Sequence, residues 1–153
     1  MLHILSLIVA TQLAAAPIDV SVEGGQTVAF TTADLAALPR VEVTAMEGGR
    51  SRTFSGVNVS GLLERAGVKF GRSLRGPALA QYLVAEGRDG YRVVYALTEF
   101  DADFAEVPAI LADRMDGQAL VADEGPWRLI LPREKRGARW VRQVVALRVR
   151  VAK

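Results

Sequence analysis

The chain has 153 residues, half of them apolar and about a quarter charged, with a positive mean hydropathy. This composition fits one compact domain with a sizeable core and excludes a disordered tail, a collagen or a coiled coil. There is no cysteine and the single histidine is His3, which excludes a thiolate nucleophile, a disulfide framework, a Ser-His-Asp triad and a zinc site of nitrogen and sulfur ligands. The net charge of +2 is too small to mark a nucleic-acid binder.

Residues 1–16 lead from an apolar run, Ile4 to Ala10, into small residues, the order of a short secretory signal with a cut near Ala14 or Ala15. No Lys or Arg precedes the run, and a buried N-terminal strand or helix is its other reading. The run is too short to span a bilayer. The expectation is a periplasmic or secreted protein with no stable membrane span and, once the signal is removed, no histidine. Residues 17–153 contain no linker, repeat or Gly/Ser tract and read as a single domain.

Ile18–Val22 alternates apolar and polar as a half-buried strand does, and Gly24-Gly25 turns it into a second strand, Thr27–Phe30. Thr31 stands three residues before Asp34, a capping box for a helix over 33–38 that Pro39 stops. A strand over 40–46, a turn at Gly48-Gly49 and a strand over 53–57 follow. Ser60 is the expected N-cap of a helix carrying Leu62, Leu63 and Ala66 and ended by Gly67. After a loop to Pro77, apolar runs at 81–85 and 91–97 joined by Glu86-Gly87-Arg88-Asp89-Gly90 predict a β-hairpin. Thr98 is the expected cap of a short acidic helix. Strands over 109–112 and 127–131 flank an Asp116-Gly117 turn, and Leu147, Val149 and Val151 alternate with Arg148 and Arg150 in a last strand with one basic face. Many short strands with a few short helices, not regularly alternating, predict an α+β fold.

Charge is segregated along the chain. Residues 99–125 carry eight acids, Glu99, Asp101, Asp103, Glu106, Asp113, Asp116, Asp123 and Glu124, against Arg114, whereas residues 128–153 carry nine bases against Glu134. The basic clustering suggests an anionic partner. Within it, Lys135-Arg136-Gly137-Ala138-Arg139-Trp140-Val141-Arg142 places Arg139 and Arg142 three apart. On a helical turn their guanidinium groups would share a face suited to phosphate or carboxylate oxygens, with Gly137 admitting a ligand close to the backbone. The same segment also reads as a solvated turn whose Trp140 and Val141 pack into the core. Asp101-Ala102-Asp103 and the pair Asp113 and Asp116 lack EF-hand spacing and read first as helix-start and turn chemistry. Asp89-Gly90-Tyr91 likewise reads first as a turn.

Taken in order, Phe54-Ser55-Gly56-Val57 leading to Leu62-Leu63, Asp89-Gly90-Tyr91, Leu111-Ala112 through Met115-Asp116-Gly117-Gln118-Ala119-Leu120, Gly125-Pro126-Trp127-Arg128-Leu129-Ile130-Leu131-Pro132 and Gly137-Ala138-Arg139-Trp140-Val141-Arg142 resemble one family. It is the oxidoreductase molybdopterin-binding domain of sulfite oxidase and methionine-sulfoxide-reductase catalytic subunit type, and the likeness runs over roughly residues 18–151. The resemblance implies a mixed α+β, sulfite-oxidase-type fold and molybdopterin as the cofactor. It sets Gly137, Arg139 and Arg142 near the pterin phosphate and makes Arg128 either a further cofactor contact or a brace of the fold.

The sequence departs from the pattern where the family's chemistry resides. Active members hold molybdenum through a cysteine thiolate in the region that corresponds to 43–49, where this chain reads Val-Thr-Ala-Met-Glu-Gly-Gly. Members often carry a histidine where this chain has Asp123-Glu124. A Met46 thioether is neutral and a weaker ligand than a thiolate, and loss of the thiolate should abolish or greatly alter the redox chemistry. The leading expectation is an exported molybdopterin-oxidoreductase-like domain without molybdenum catalysis that retains a pterin or anion pocket. The alternatives are an active pterin–molybdenum oxidoreductase with no protein thiolate, and a periplasmic module that pairs with a protein partner through its acidic and basic segments.

Overall fold

A computed structural model describes residues 15–153; the expected signal segment up to residue 14 lies outside the described residues. Among the described residues, ten strands form two sheets, accompanied by two short helices. In chain order they are β1 (Ile18–Val22), β2 (Thr27–Phe30), α1 (Thr32–Ala36), β3 (Arg40–Glu47), β4 (Arg50–Asn58), α2 (Val59–Arg65), β5 (Gln81–Gly87), β6 (Arg92–Ala96), β7 (Ile110–Met115), β8 (Gln118–Ala119), β9 (Arg128–Ile130) and β10 (Val144–Val151). The first sheet has the order β2-β1-β10-β5-β6, with β1 and β10 parallel and its other pairs antiparallel. The second has the order β3-β4-β7-β8, with β9 also on β7. The α+β class expected from the pattern is therefore the class observed.

Alternation decides which side of each strand is buried. Ile18 and Val20 on β1 and Leu147 and Val149 on β10 face inward, while Asp19 is exposed and Arg148 and Arg150 are only half-buried. The inward residues of both sheets merge with Leu35, Val59, Leu62 and Leu63 of the helices into one apolar core.

Local chemistry accounts for the element boundaries. The Thr31 hydroxyl accepts the Asp34 N–H while the Asp34 carboxylate accepts the Thr31 N–H at 2.8 Å, a complete capping box. Helix α1 ends at Ala36, two residues before the predicted end. For α2 the cap is Asn58 and not the expected Ser60. The chain is still extended at Asn58, and its Oδ1 accepts both the N–H and the hydroxyl of Ser60 at 3.0 and 2.9 Å. Thr98 is not a cap either. It lies inside a 3₁₀ turn, Leu97–Phe100, started by Glu99, whose side chain reaches back to the Ala96 N–H. The segment read as a loop to Pro77 contains a 3₁₀ turn, Gly71–Ser73, and a second, Gly76–Ala80, starts at its end and leads into β5. Asp116 and Gly117 have φ of 50° and 79°, as a tight hairpin turn requires, and so β7 continues into the short β8 that the pattern did not separate.

Candidate functional site

The basic turn forms a 3₁₀ turn, Gly137–Arg139, that ends before Arg142, because Trp140 is extended with φ −97° and ψ 95°. Arg139 and Arg142 therefore do not share a helical face, and each belongs to its own ion cluster. Arg139 donates to Glu99 at 3.1 Å and to Glu134 at 2.7 Å, and its guanidinium lies 4.8 Å from the centre of the Tyr95 ring. Partial burial works against its charge, but the Glu99 and Glu134 carboxylates outweigh that and hold its pKa above the ordinary arginine value. Burial pushes the Tyr95 phenol well above its usual range. Its hydroxyl donates to the Arg139 carbonyl, and the Tyr91 hydroxyl donates to the Ala138 carbonyl at 2.7 Å. Two tyrosines at the start and within the hairpin's second strand thus pin the basic turn to the first sheet.

Arg142 is half exposed and contacts Glu124 at 3.4 Å. Glu124 also holds Arg128 at 3.2 Å, and Glu47, at the end of β3, holds Arg128 at 2.6 Å. Arg128 is 2 % exposed and lies over the rings of Trp140 and Phe54 at 5.3 and 5.9 Å. The two rings meet edge to face, and the Trp140 indole N–H donates to the Leu131 carbonyl at 3.1 Å. Arg128 Nε is buried without a partner among the described residues. Gly137 is exposed, and a Cβ there would meet nothing within 4 Å, so the fold does not need glycine at that position.

The acidic candidates have internal roles. Asp101 is buried, and its carboxylate accepts the Gly71 and Asp103 N–H groups at 2.7 and 2.8 Å, tying the 3₁₀ turn at Gly71 to the segment before β7. Asp113 bonds Arg40 at 3.1 Å, and Asp116 bonds Arg52 at 2.7 Å and accepts the Thr53 N–H. Asp89 accepts the Tyr91 N–H, the turn chemistry expected there. No group of three His, Cys, Asp or Glu side chains positioned to hold a metal occurs among the described residues. No helix among them is long and apolar enough to cross a membrane. Beside the Arg139 cluster lies a cleft of about 620 Å³, and neither Arg128 nor Arg142 lines it.

A family model for the oxidoreductase molybdopterin binding domain matches residues 47–153. The chain belongs to this family. Among solved structures it is similar to the sulfane dehydrogenase SoxCD of Paracoccus pantotrophus, with a TM-score of 0.70 and 23 % identity. That likeness covers 92 % of this chain and 40 % of that one, so the chain spans well under half of the matched protein. It establishes the sulfite-oxidase-type fold. No curated protein matches.

The residues of this molybdopterin-binding-family domain do not fit a thiolate-held metal. Along 43–49, Val43 and Ala45 face the core, Met46 faces solvent, and the Glu47 carboxylate is taken by Arg128. Arg139 and Arg142, which the resemblance sets near the pterin phosphate, and Arg128, read as a further contact or a brace, already have carboxylate partners. The pairing of Glu47, Glu99, Glu124 and Glu134 with these arginines was not legible in the chain, although the Glu124 to Arg128 spacing of four and the proximity of Glu134 to Arg139 were the signals available.

The carboxylates also predict the acid response. Asp34 is held below its ordinary pKa by the Thr31 hydroxyl and N–H, Glu86 by its bond from Arg92 and the charge of Arg148, and Asp116 by the Thr53 N–H and Arg52. A carboxylate whose folded pKa is depressed contributes stability above its unfolded value and loses it as pH falls through the folded one. Residues 15–153 contain no histidine or cysteine. Thermal melts of this domain should therefore be nearly flat between about pH 5 and 8 and fall below about pH 4. A midpoint that changes steeply near pH 6–7 would contradict this assignment.

Proposed function

We propose that this chain is an exported member of the molybdopterin-binding family that keeps the fold without molybdenum catalysis and works by binding. One observation carries the reading. Glu47 and Glu124 stand in the regions where the family pattern calls for the cysteine and the histidine, and both are committed to the buried guanidinium of Arg128. A thiolate ligand sets the potential and geometry of a redox metal, and a carboxylate locked in an ion pair cannot take its place. The internal pairing of Arg139 and Arg142 further argues that the basic turn braces the fold and is not poised for a free anion. Export rests on the order of residues 1–16.

Protein purified from its native host should contain well under one molybdenum per chain by plasma mass spectrometry, and acid oxidation should release no stoichiometric fluorescent pterin. Intact mass should show cleavage near Ala14 or Ala15. One molybdenum and one pterin per chain, with the pterin lost when Arg139 and Arg142 are changed to Ala in a protein that still folds, would instead establish the thiolate-free enzyme.

A further inference from the structure

The cleft beside Arg139 has walls of two chemical kinds. Phe104, Val107, Leu131 and Pro132 supply an apolar surface, and Phe104 remains 55 % exposed although it is aromatic. Glu99 and Glu134 supply the polar part, and both grip the one guanidinium of Arg139. Two carboxylates on one cation leave a negative charge uncompensated at that end of the cleft. Their side chains remain 32 % and 16 % exposed, so the charge is within reach of a ligand. The remaining charged pair of the lining, Glu106 with Arg133, is neutral as a pair, and both side chains are largely exposed, so it is easily parted. Lys135 and Arg136 give Glu134 only their backbone N–H groups, and their side chains are not part of the lining.

We propose that this cleft binds a small molecule with an apolar body and a single positive charge. Its volume lies within the range of roughly 300–1,000 Å³ that small-molecule sites occupy. The apolar body would rest against Val107, Leu131 and Pro132, with the Phe104 ring as an aromatic wall, and an ammonium would take the spare acceptor sites of Glu99 and Glu134. An anion of the same shape would meet like charge there and find the guanidinium of Arg139 already occupied. The site is separate from the Arg128 cluster, since neither Arg128 nor its partners Glu47 and Glu124 line it.

A matched pair of probes tests the proposal on the unaltered protein. 4-Phenylbutylamine and 4-phenylbutyrate share a body and differ in the sign of the head group. In titrations followed by backbone amide NMR at low salt, the amine should bind at least about tenfold more tightly than the acid, the scale of a hydrogen bond to a charged group. Its shifts should centre on residues 104–107 and 131–134. Val107→Trp should fill the cleft and abolish binding, and Glu99→Gln, by leaving one carboxylate on Arg139, should bring the two probes close to equal affinity. Equal or tighter binding of the acid, binding of neither probe, or amine shifts centred elsewhere would overturn the proposal. Should Val107→Trp not fold, the probe pair and the shift map on the unaltered protein decide alone. Metal and pterin analysis of the same preparation reads the molybdenum question separately.

Discussion

Replacing Glu47 and Glu124 together by alanine is expected to destabilise the domain by about 3–5 kcal/mol, the cost of leaving a buried charge without its partners. Arg128 is 2 % exposed, and among the described residues its carboxylate contacts are these two and its Nε has no partner. Stacking over Trp140 and Phe54 partly offsets its desolvation but cannot replace the lost counter-charge. Urea denaturation of the double variant against the parent measures the loss. Adding Arg128→Met to the double variant should recover much of it, because an apolar side chain of similar length needs no counter-charge and packs against the same rings. A double variant as stable as the parent would show that water reaches Arg128, and the Glu47–Arg128–Glu124 clamp would lose its energetic meaning.

Gly56→Ala is expected to cost about 3 kcal/mol or more, at or above the top of the usual range for overpacking. Gly56 is buried where β4 crosses β7 at a shift in register between Ser55 and Gly56. A Cβ on it would lie 1.9 Å from the Leu111 carbonyl oxygen and 2.6 Å from the Ala112 Cα. Both are backbone atoms of a central strand that also pairs with β8 and β9, so neither can yield without parting the sheet. Gly137→Ala is the contrasting change. A Cβ there meets nothing within 4 Å and the backbone is not left-handed, so the effect should stay within about 0.5 kcal/mol. Thermal melts of the two variants side by side separate a glycine that packing requires from one that sits in open space.

Much of the fold was legible because its signals are local. The alternation in β1 and β10, the capping box at Thr31 and Asp34, and the Asp116-Gly117 turn act over two to four residues, so they can be read before any tertiary contact forms. The misplaced boundaries came from competition between neighbouring caps. Asn58 and Ser60 are both good N-cap residues, and the end of β4 decided between them; Glu99 reached back to Ala96 and took the role expected of Thr98. The candidate site was less legible. Arg139 and Arg142 were identified, but their shared face depended on a helical turn that Trp140 ends when it docks on Phe54 and Leu131.

By itself the sequence determined which chemistry is absent. Without cysteine, and with its one histidine at position 3, the chain cannot offer a thiolate or an imidazole from residues 15–153 in any fold. Motif order determined the family, because turns, caps and strand patterns are written in consecutive residues. Only the tertiary structure decided what the segregated charges do. The acidic segment 99–125 and the basic segment that follows it look like surfaces for outside partners when laid along the chain, yet Glu99, Glu106 and Glu124 are paired with Arg139, Arg133, Arg128 and Arg142. The partners lie 4 to 40 residues apart, and Glu47 reaches Arg128 across 81. Charge pairing depends on distance in space, which folding sets, and so a count along the chain could report the charges without showing that most of this cluster is already neutralised.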